Sequence, residues 1–252
     1  MLLDAGWNGS ANLKVLVGGE ALERDLATQL EQHNQAVWNM YGPTETTIWS
    51  ACHQFNPADQ LISVGQPIAN TQFYVLDDAM QAVPVGVPGT LWIGGHGVAR
   101  GYWQRDELNA ASFIDNPFGS GRIYATGDRV RWLSDGSLEV LGRNDFQVKL
   151  RGFRIELGEI ETRLAANPNV TQSVVSLRED SPGDQRLVAY NIAPEGVTLN
   201  SDELRNSLMG GLPDYMLPNA FVDVEKIPLS PTGKLDPAAL RHLAAEQSCP
   251  FK

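Results

Sequence analysis

The sequence is poor in the residues that build disulfide frameworks and metal cages. Its 252 residues include two cysteines, Cys52 and Cys249, and four histidines, His33, His53, His96 and His242. So few cysteines indicate neither a disulfide scaffold nor a thiolate zinc site, and they point to a reducing cytoplasm. The histidines are scattered without metal-ligand spacing and read as structural or surface residues. No apolar run approaches the ~20 residues needed to cross a bilayer. The opening "MLLDAGWNGS" lacks the charged, apolar and cleavage regions of a signal peptide. Positive charge is also short, with 19 Lys and Arg against 30 Asp and Glu, a net charge of −11. That balance argues against a general role on nucleic acid or a membrane surface, where basic side chains do most of the binding. A small phosphorylated ligand, opposed by local cations, stays open. Internal repeats, low-complexity runs, a nucleophile-elbow serine and a Gly-rich phosphate loop ending in Lys and Ser or Thr are all missing.

The order of patterns along the chain is more informative. "NLKVLVGGEAL" predicts a strand, a Gly-Gly turn and the start of a helix through "ERDLATQLEQH", and "QAVWNM" a second strand. Strand, helix and strand at this spacing form a βαβ unit with parallel pairing. From about 61 to 144 the pattern becomes strands and turns: "TQFYVLD", "GTLWIGG", "RIYATGD", "RVRWL" and "SLEVLGR". The Asp-Gly step in "RWLSDGSLEV" predicts a hairpin, and the run as a whole an antiparallel sheet or barrel. After Asp145 come a helix "ELGEIETRLAAN", strands "VTQSVVSL" and "RLVAYNIA", a helix "SDELRNSLMGGL", a strand "AFVDVEKI" and a helix "DPAALRHLAAEQ". This is a separate α+β domain over 145–252, of ordinary domain size. The fold class is therefore α/β followed by α+β: a βαβ layer over 1–60, the antiparallel part over 61–144, and the small domain.

Four segments carry polar groups that a plain turn does not need. In "NMYGPTETTIWS" a carboxylate, Glu45, is flanked by hydroxyls; turn and site read about evenly. In "YATGDRVRW" Asp128 ends a strand, where a carboxylate suits a ribose diol; the alternative is a turn Asp bonding its own backbone. "LGRND" sets Arg143 beside Asp145, where a local ion pair is the plain alternative to a site. "LSPTGKLD" displays Lys234 on a Pro-Gly turn, where most lysines are simply solvated but one on a separate small domain could swing toward an anionic group. "GGHGVARGY" is glycine-rich but has the wrong offsets for a dinucleotide fingerprint, so it reads as a tight connection between strands.

These segments, with "GRNDFQVKLRGFRIELGEIE" and "LPDYMLP", occur in one chain in this order. The sequence thereby resembles the adenylation domains of non-ribosomal peptide synthetases, within the adenylate-forming (AMP-binding) superfamily. The resemblance covers essentially the whole chain. It implies two half-reactions: an amino acid carboxylate attacks the α-phosphate of ATP, giving aminoacyl-AMP and pyrophosphate, and a carrier protein's phosphopantetheine thiol then takes the acyl group. It implies ATP/AMP and Mg²⁺, a peptidyl carrier protein and the rest of a multimodular synthetase as partners. Carried over residue by residue, Tyr41 stacks on adenine and Asn39 bonds its edge. Thr44 meets the α-phosphate, Glu45 holds Mg²⁺, and Asp128 takes the ribose hydroxyls with help from Arg143. Lys234 bridges the carboxylate, α-phosphate and ribose in the first step. Asp145 is the hinge of a mobile small domain, and Gly152 lies on the face presented to the pantetheine channel.

Family members carry a longer N-terminal portion with a phosphate-gripping loop and the acidic partner of the α-amino group. The expectation is thus the C-terminal part of an adenylation domain, inactive by itself. The visible substrate-pocket positions map to Leu16, Gly18, Met40, Ile48 and Trp49. Bulky Met40 and Trp49 leave space for little side chain, so glycine is expected, with alanine or another small amino acid next. The alternatives are a carboxylate–CoA ligase of the same superfamily, which would acylate free CoA, and a non-catalytic carrier-docking module, for which Lys234 would be dispensable.

Overall fold

The computed structural model describes residue 3 and residues 5–145, 147–181, 183–228 and 239–240. The chain divides into two compact units, Met1–Asp145 and Phe146–Lys252. Lys234 and the helix expected over "DPAALRHLAAEQ", apart from Ala239 and Leu240, lie outside the described residues.

In the first unit, strand β1 (Lys14–Gly18) leads through helix α1 (Arg24–His33) to β2 (Ala36–Tyr41). The two strands pair in parallel, with Leu16 opposite Trp38 and Gly18 opposite Met40. α1 buries Ala27 and Leu30 against Val37, with Leu22 and Phe55 in the same cluster. The βαβ unit thus forms as its periodicity implies. Two short antiparallel strands extend the layer, β3 (Ala51–Gln54) and β4 (Gln66–Pro67).

The second layer contains β5 (Thr71–Leu76), β6 (Gly89–Gly95), helix α2 (Asp106–Ser112), β7 (Phe113–Asp115), β8 (Arg122–Trp132) and β9 (Leu138–Arg143). It is an antiparallel sheet in the order β5-β6-β8-β7, with β9 also paired to β8. "RIYATGD" and "RVRWL", expected as two strands, are one strand of 11 residues with a register shift between Arg129 and Val130. The irregularity keeps the ladder continuous while redirecting it, which is what a bulge does. The β8–β9 turn is built on Asp135, whose carboxylate accepts from Ser137 N at 2.9 Å and Ser137 Oγ at 2.6 Å. Gly136 follows it at φ +79°, a conformation glycine takes without steric cost. Val75, Leu91, Ile93, Val130 and Leu138 form the core of this layer, and Tyr41 and Ala51 join it from the first.

The second unit opens with a hairpin of β10 (Gln147–Leu150) and β11 (Phe153–Glu156). Arg151 and Gly152 fill its two-residue turn at φ +53° and +81°, the positive pair that matches strand twist. Helix α3 (Leu157–Ala165), β12 (Gln172–Glu179), β13 (Gln185–Ile192), α4 (Ser201–Met209) and β14 (Ala220–Asp223) follow. β12 pairs antiparallel and β14 parallel with β13, giving a three-stranded sheet. Asn200 caps α4 by accepting from Asp202 N at 2.9 Å. Ile160 and Leu164 of α3 and Leu204 and Leu208 of α4 pack on Leu187 and Ala189 of the sheet.

Candidate active site

The polar cluster of the first unit is assembled at the end of β2. Alternation along β2 turns Tyr41 into the interior, where it is 7% exposed. Its hydroxyl donates to Asp128 Oδ2 on β8. The other carboxylate oxygen, Oδ1, accepts from Arg143 Nη1 on β9 at 2.7 Å. The Asp128 backbone N–H donates to Thr126 Oγ1 at 3.0 Å, and that hydroxyl donates to Leu91 O at 2.8 Å. Both side chains of the ion pair are largely buried, 14% exposed for Arg143 and 7% for Asp128. Arg143 also grips Asp145, through Nε at 2.7 Å and Nη2 at 2.5 Å. A guanidinium fork engaged by two carboxylates keeps a fixed plane, so Asp128 is held from two sides and Asp145 is tied to the same cation. Burial, then the charge and hydrogen bond of Asp128, push the Tyr41 phenol well above its ordinary range. The cluster therefore contains a neutral phenol, one buried carboxylate and one cation.

The turn after β2 is tight and strained. Thr44–Thr46 form a single 3-10 turn, and Thr47 and Ile48 follow at φ +65° and +70°. β-Branched side chains in the left-handed region cost ~1–3 kcal/mol each, and such strain collects at functional segments. Thr47 Oγ1 offsets part of it by donating to Gly97 O at 2.7 Å. Thr44 is exposed, whereas Glu45 is half-buried and accepts from Tyr102 OH at 2.5 Å. Burial, then bonds to Glu45 and Tyr124, push the Tyr102 phenol up. Among the described residues no three His, Cys, Asp or Glu side chains cluster as a metal cage. Mg²⁺ does not require one: it commonly takes one or two carboxylates with waters and substrate phosphates. The Glu45 carboxylate beside an exposed Thr44 hydroxyl fits that donor set.

Beside this cluster lies a small apolar surface. A Cβ on Gly18 would meet Trp49 Cη2 at 2.5 Å and Cζ3 at 2.6 Å, so the indole covers Gly18. Met40 is opposite Gly18 on β2. The structure thus brings Gly18, Met40 and Trp49 together. Leu16 lies two residues earlier on the same strand face, 65% exposed, and Ile48 precedes Trp49 in the chain, 61% exposed. Asn39 is buried, with its amide donating to Ser63 O at 2.8 Å. Gly152 occupies the β10–β11 turn of the second unit and is described with that unit alone.

Sequence reasoning overlooked Tyr102, Tyr124 and Thr126 as members of these networks. All three stand inside the quoted motifs "GGHGVARGY" and "YATGDRVRW". Their signal was a hydroxyl at the end of a glycine-rich connection or two or four residues before Asp128, which lies inside β8 rather than at the strand end expected for it. His53, read as structural, meets Asp59 Oδ2 at 2.9 Å.

Two families match the chain: "AMP-binding enzyme" over residues 4–103 and "AMP-binding enzyme C-terminal domain" over residues 159–234. A dimodular nonribosomal peptide synthase of Bacillus subtilis (strain 168) is 51% identical over 231 residues, covering 90% of this chain and 10% of that protein. Tyrocidine synthase 3 of Brevibacillus parabrevis is 48% identical over 246 residues, covering 95% and 4%. The chain thus spans a small part of the length of these relatives. Among solved structures, a four-domain nonribosomal peptide synthetase bound to AMP and glycine is 48% identical with a TM-score of 0.55, covering 94% of this chain and 18% of that one. A synthetase protein containing adenylation and PCP domains, bound to a vinylsulfonamide inhibitor, is 31% identical with a TM-score of 0.78, covering 91% and 40%. The fold of both units, the order of their motifs and these likenesses agree: the chain belongs to the AMP-binding, adenylate-forming enzyme family, and within it is similar to the adenylation domains of nonribosomal peptide synthetases.

Proposed function

We propose that these residues form the nucleotide-holding wall of an ATP-dependent amino acid adenylating ligase. The observation that carries this reading is the buried cluster Tyr41–Asp128–Arg143, which three strands assemble directly before the Thr44–Thr46 turn. Asp128, held by Arg143, accepts the two ribose hydroxyls. The adenine side of the site is assigned to Tyr41 and Asn39, whose side chains are buried here with the Tyr41 hydroxyl on Asp128 and the Asn39 amide on Ser63 O. Thr44 donates to the α-phosphate. A Mg²⁺ ion held by Glu45, when bound, neutralises charge on the phosphoryl oxygens.

In the first half-reaction a carboxylate oxygen of the amino acid bonds to the α-phosphorus, the bond to the β-phosphate bridging oxygen breaks, and pyrophosphate leaves. Lys234 balances the negative charge that gathers on carboxylate and phosphate. In the second, a phosphopantetheine thiol of a peptidyl carrier protein gives up its proton, its sulfur bonds to the acyl carbon, and AMP leaves. The family pattern assigns the hinge used between the two half-reactions to Asp145, a kind of position that absorbs dihedral change, and the pantetheine step to Gly152.

The amino acid is glycine, with alanine next. Support comes from the indole seated on Gly18 and from the 48%-identical synthetase whose structure holds AMP and glycine. No helix among the described residues is long and apolar enough to cross a membrane, and we place the protein in the cytoplasm, within a multimodular synthetase. The test is amino acid-dependent ATP–pyrophosphate exchange by the full natural polypeptide that carries these residues. Glycine should give the highest rate and alanine the next. Preference for a large side chain would overturn the substrate, and no exchange with any amino acid would overturn the activity. Residues 1–252 alone should show no exchange.

A further inference from the structure

The glycine-rich segment "GGHGVARGY", residues 94–102, does more than connect two strands. Its backbone is laid against the Thr44–Thr47 turn. Ala99 N donates to Glu45 O at 2.8 Å, and Gly97 O accepts from Thr47 Oγ1 at 2.7 Å. A Cβ on Gly97 would stand 2.8 Å from Thr46 O, so only glycine allows this approach. The segment is anchored independently of the turn. Arg122 donates from Nη2 to Ala99 O at 2.7 Å and from Nη1 to Arg100 O at 3.1 Å. The Tyr102 backbone is clamped by Asn109, which accepts from its N–H at 2.6 Å and donates to its carbonyl at 2.8 Å. The Tyr102 ring meets Phe113 edge-on at 5.4 Å, and its hydroxyl stands 3.4 Å from that of Tyr124.

The phenol is therefore positioned by its own surroundings, and from there its hydroxyl reaches Glu45 Oε1 at 2.5 Å across 57 residues of sequence. The turn's backbone has its own bonds, Thr46 N to Pro43 O and Thr47 N to Thr44 O, both at 3.1 Å, besides the one from Ala99 N to Glu45 O. The distinct effect of the Tyr102 bond is on the carboxylate: a free Glu samples several rotamers, whereas a donor fixed at one oxygen sets its plane. A carboxylate has about four lone-pair sites, and the Tyr102 bond takes one of them on Oε1. We propose that Tyr102 is a positioning residue that orients Glu45 toward a nucleotide-bound divalent cation. This rests on the assignment of Glu45 made above. Partners that orient metal ligands are worth about 10–100-fold in metal affinity.

The test is Mn²⁺ binding, read by electron paramagnetic resonance, to the full natural polypeptide saturated with α,β-methylene-ATP. Nucleotide affinity without metal and the melting temperature are measured alongside. Tyr102→Phe removes one oxygen and keeps the ring contacts. It should weaken Mn²⁺ binding about tenfold and leave metal-free nucleotide affinity within about twofold. In a Glu45→Gln background the same change should have no further effect. Asn109→Ala, which keeps the phenol but frees its backbone, should weaken Mn²⁺ binding in the same direction and decides the matter if Tyr102→Phe does not fold. Glu45→Gln weakening the metal while Tyr102→Phe does not would overturn the inference and leave the ligand assignment standing. A loss in Tyr102→Phe that persists in the Glu45→Gln background would overturn it as well. Glu45→Gln without effect would overturn the ligand assignment itself.

Discussion

Adding one methyl group at Gly18 should be costly, and the cost should depend on Trp49. The new Cβ would lie 2.5 and 2.6 Å from two indole carbons, against an optimum of ~3.5–4.0 Å between carbons. The ring must therefore move by roughly 1 Å. Trp49 is 36% exposed, so it has solvent to move into, and the penalty belongs in the ordinary overpacking range of ~1–3 kcal/mol. We take ~2 kcal/mol. A third contact, Met40 O at 2.8 Å, is backbone of the neighbouring strand and stays when the indole is removed. Trp49→Ala should thus absorb about half of the Gly18→Ala penalty, a coupling of ~1 kcal/mol in a double-mutant cycle. Urea denaturation of the four proteins measures it. Equal Gly18→Ala costs in both backgrounds, within ~0.3 kcal/mol, would refute the contact and the pocket built on it. In the full natural polypeptide, Trp49→Ala should also shift exchange toward larger amino acids.

Alkali should destabilise the fold through its buried phenols. The folded pKa of Tyr41 is raised above its unfolded value of 10.0, so above pH ~10 the unfolded chain has lost a proton that the folded chain keeps. Stability is then complete below pH ~10 and falls above it by up to ~1.4 kcal/mol per pH unit from Tyr41. Tyr102, shifted in the same direction, adds to the fall, and Tyr41→Phe should flatten the slope. Ile48→Gly should stabilise the first unit by ~1 kcal/mol in denaturant titrations. It relieves a left-handed β-branched residue, worth ~1–3 kcal/mol, against ~0.5–1 kcal/mol of added chain entropy; a loss of stability would contradict that strain. Gly127→Ala would set a methyl group against Asp145 Oδ2 and 2.7 Å from Arg143 Nη2, at a φ of +75°. It should cost ~2 kcal/mol, read as a lowered melting temperature, and an unchanged melting temperature would count against the Arg143–Asp145 pair.

The parts of the fold written in periodicity were legible. Apolar residues on one face of "ERDLATQLEQH" and alternation in "QAVWNM" suffice for α1 and β2, and Asp135-Gly136 specifies its hairpin. α2 was overlooked because its seven residues bury nothing and carry no apolar stripe. β4 has two residues, too few for alternation to register. In the candidate site, local motifs marked Tyr41, Glu45, Asp128 and Arg143, but not how they meet. Tyr41 and Asp128 are 87 residues apart, and Glu45 and Tyr102 are 57 apart; such pairings are decided by strand order, which no local pattern encodes. The left-handed Thr47 and Ile48 were unreadable for the opposite reason, since β-branched residues are the last that propensity would place there.

The central claim is that Asp128, held by Arg143 and Tyr41, is the ribose anchor of a nucleotide site. Its most direct test compares equilibrium binding of ATP and 2′,3′-dideoxy-ATP to the full natural polypeptide and to its Asp128→Ala variant. Hydrogen bonds to a charged group are worth ~1.5–3 kcal/mol, so the parent protein should favour ATP by about 10–100-fold or more. The variant should bind both nucleotides with one equal, weakened affinity. A variant that still prefers ATP as strongly as the parent would contradict the account.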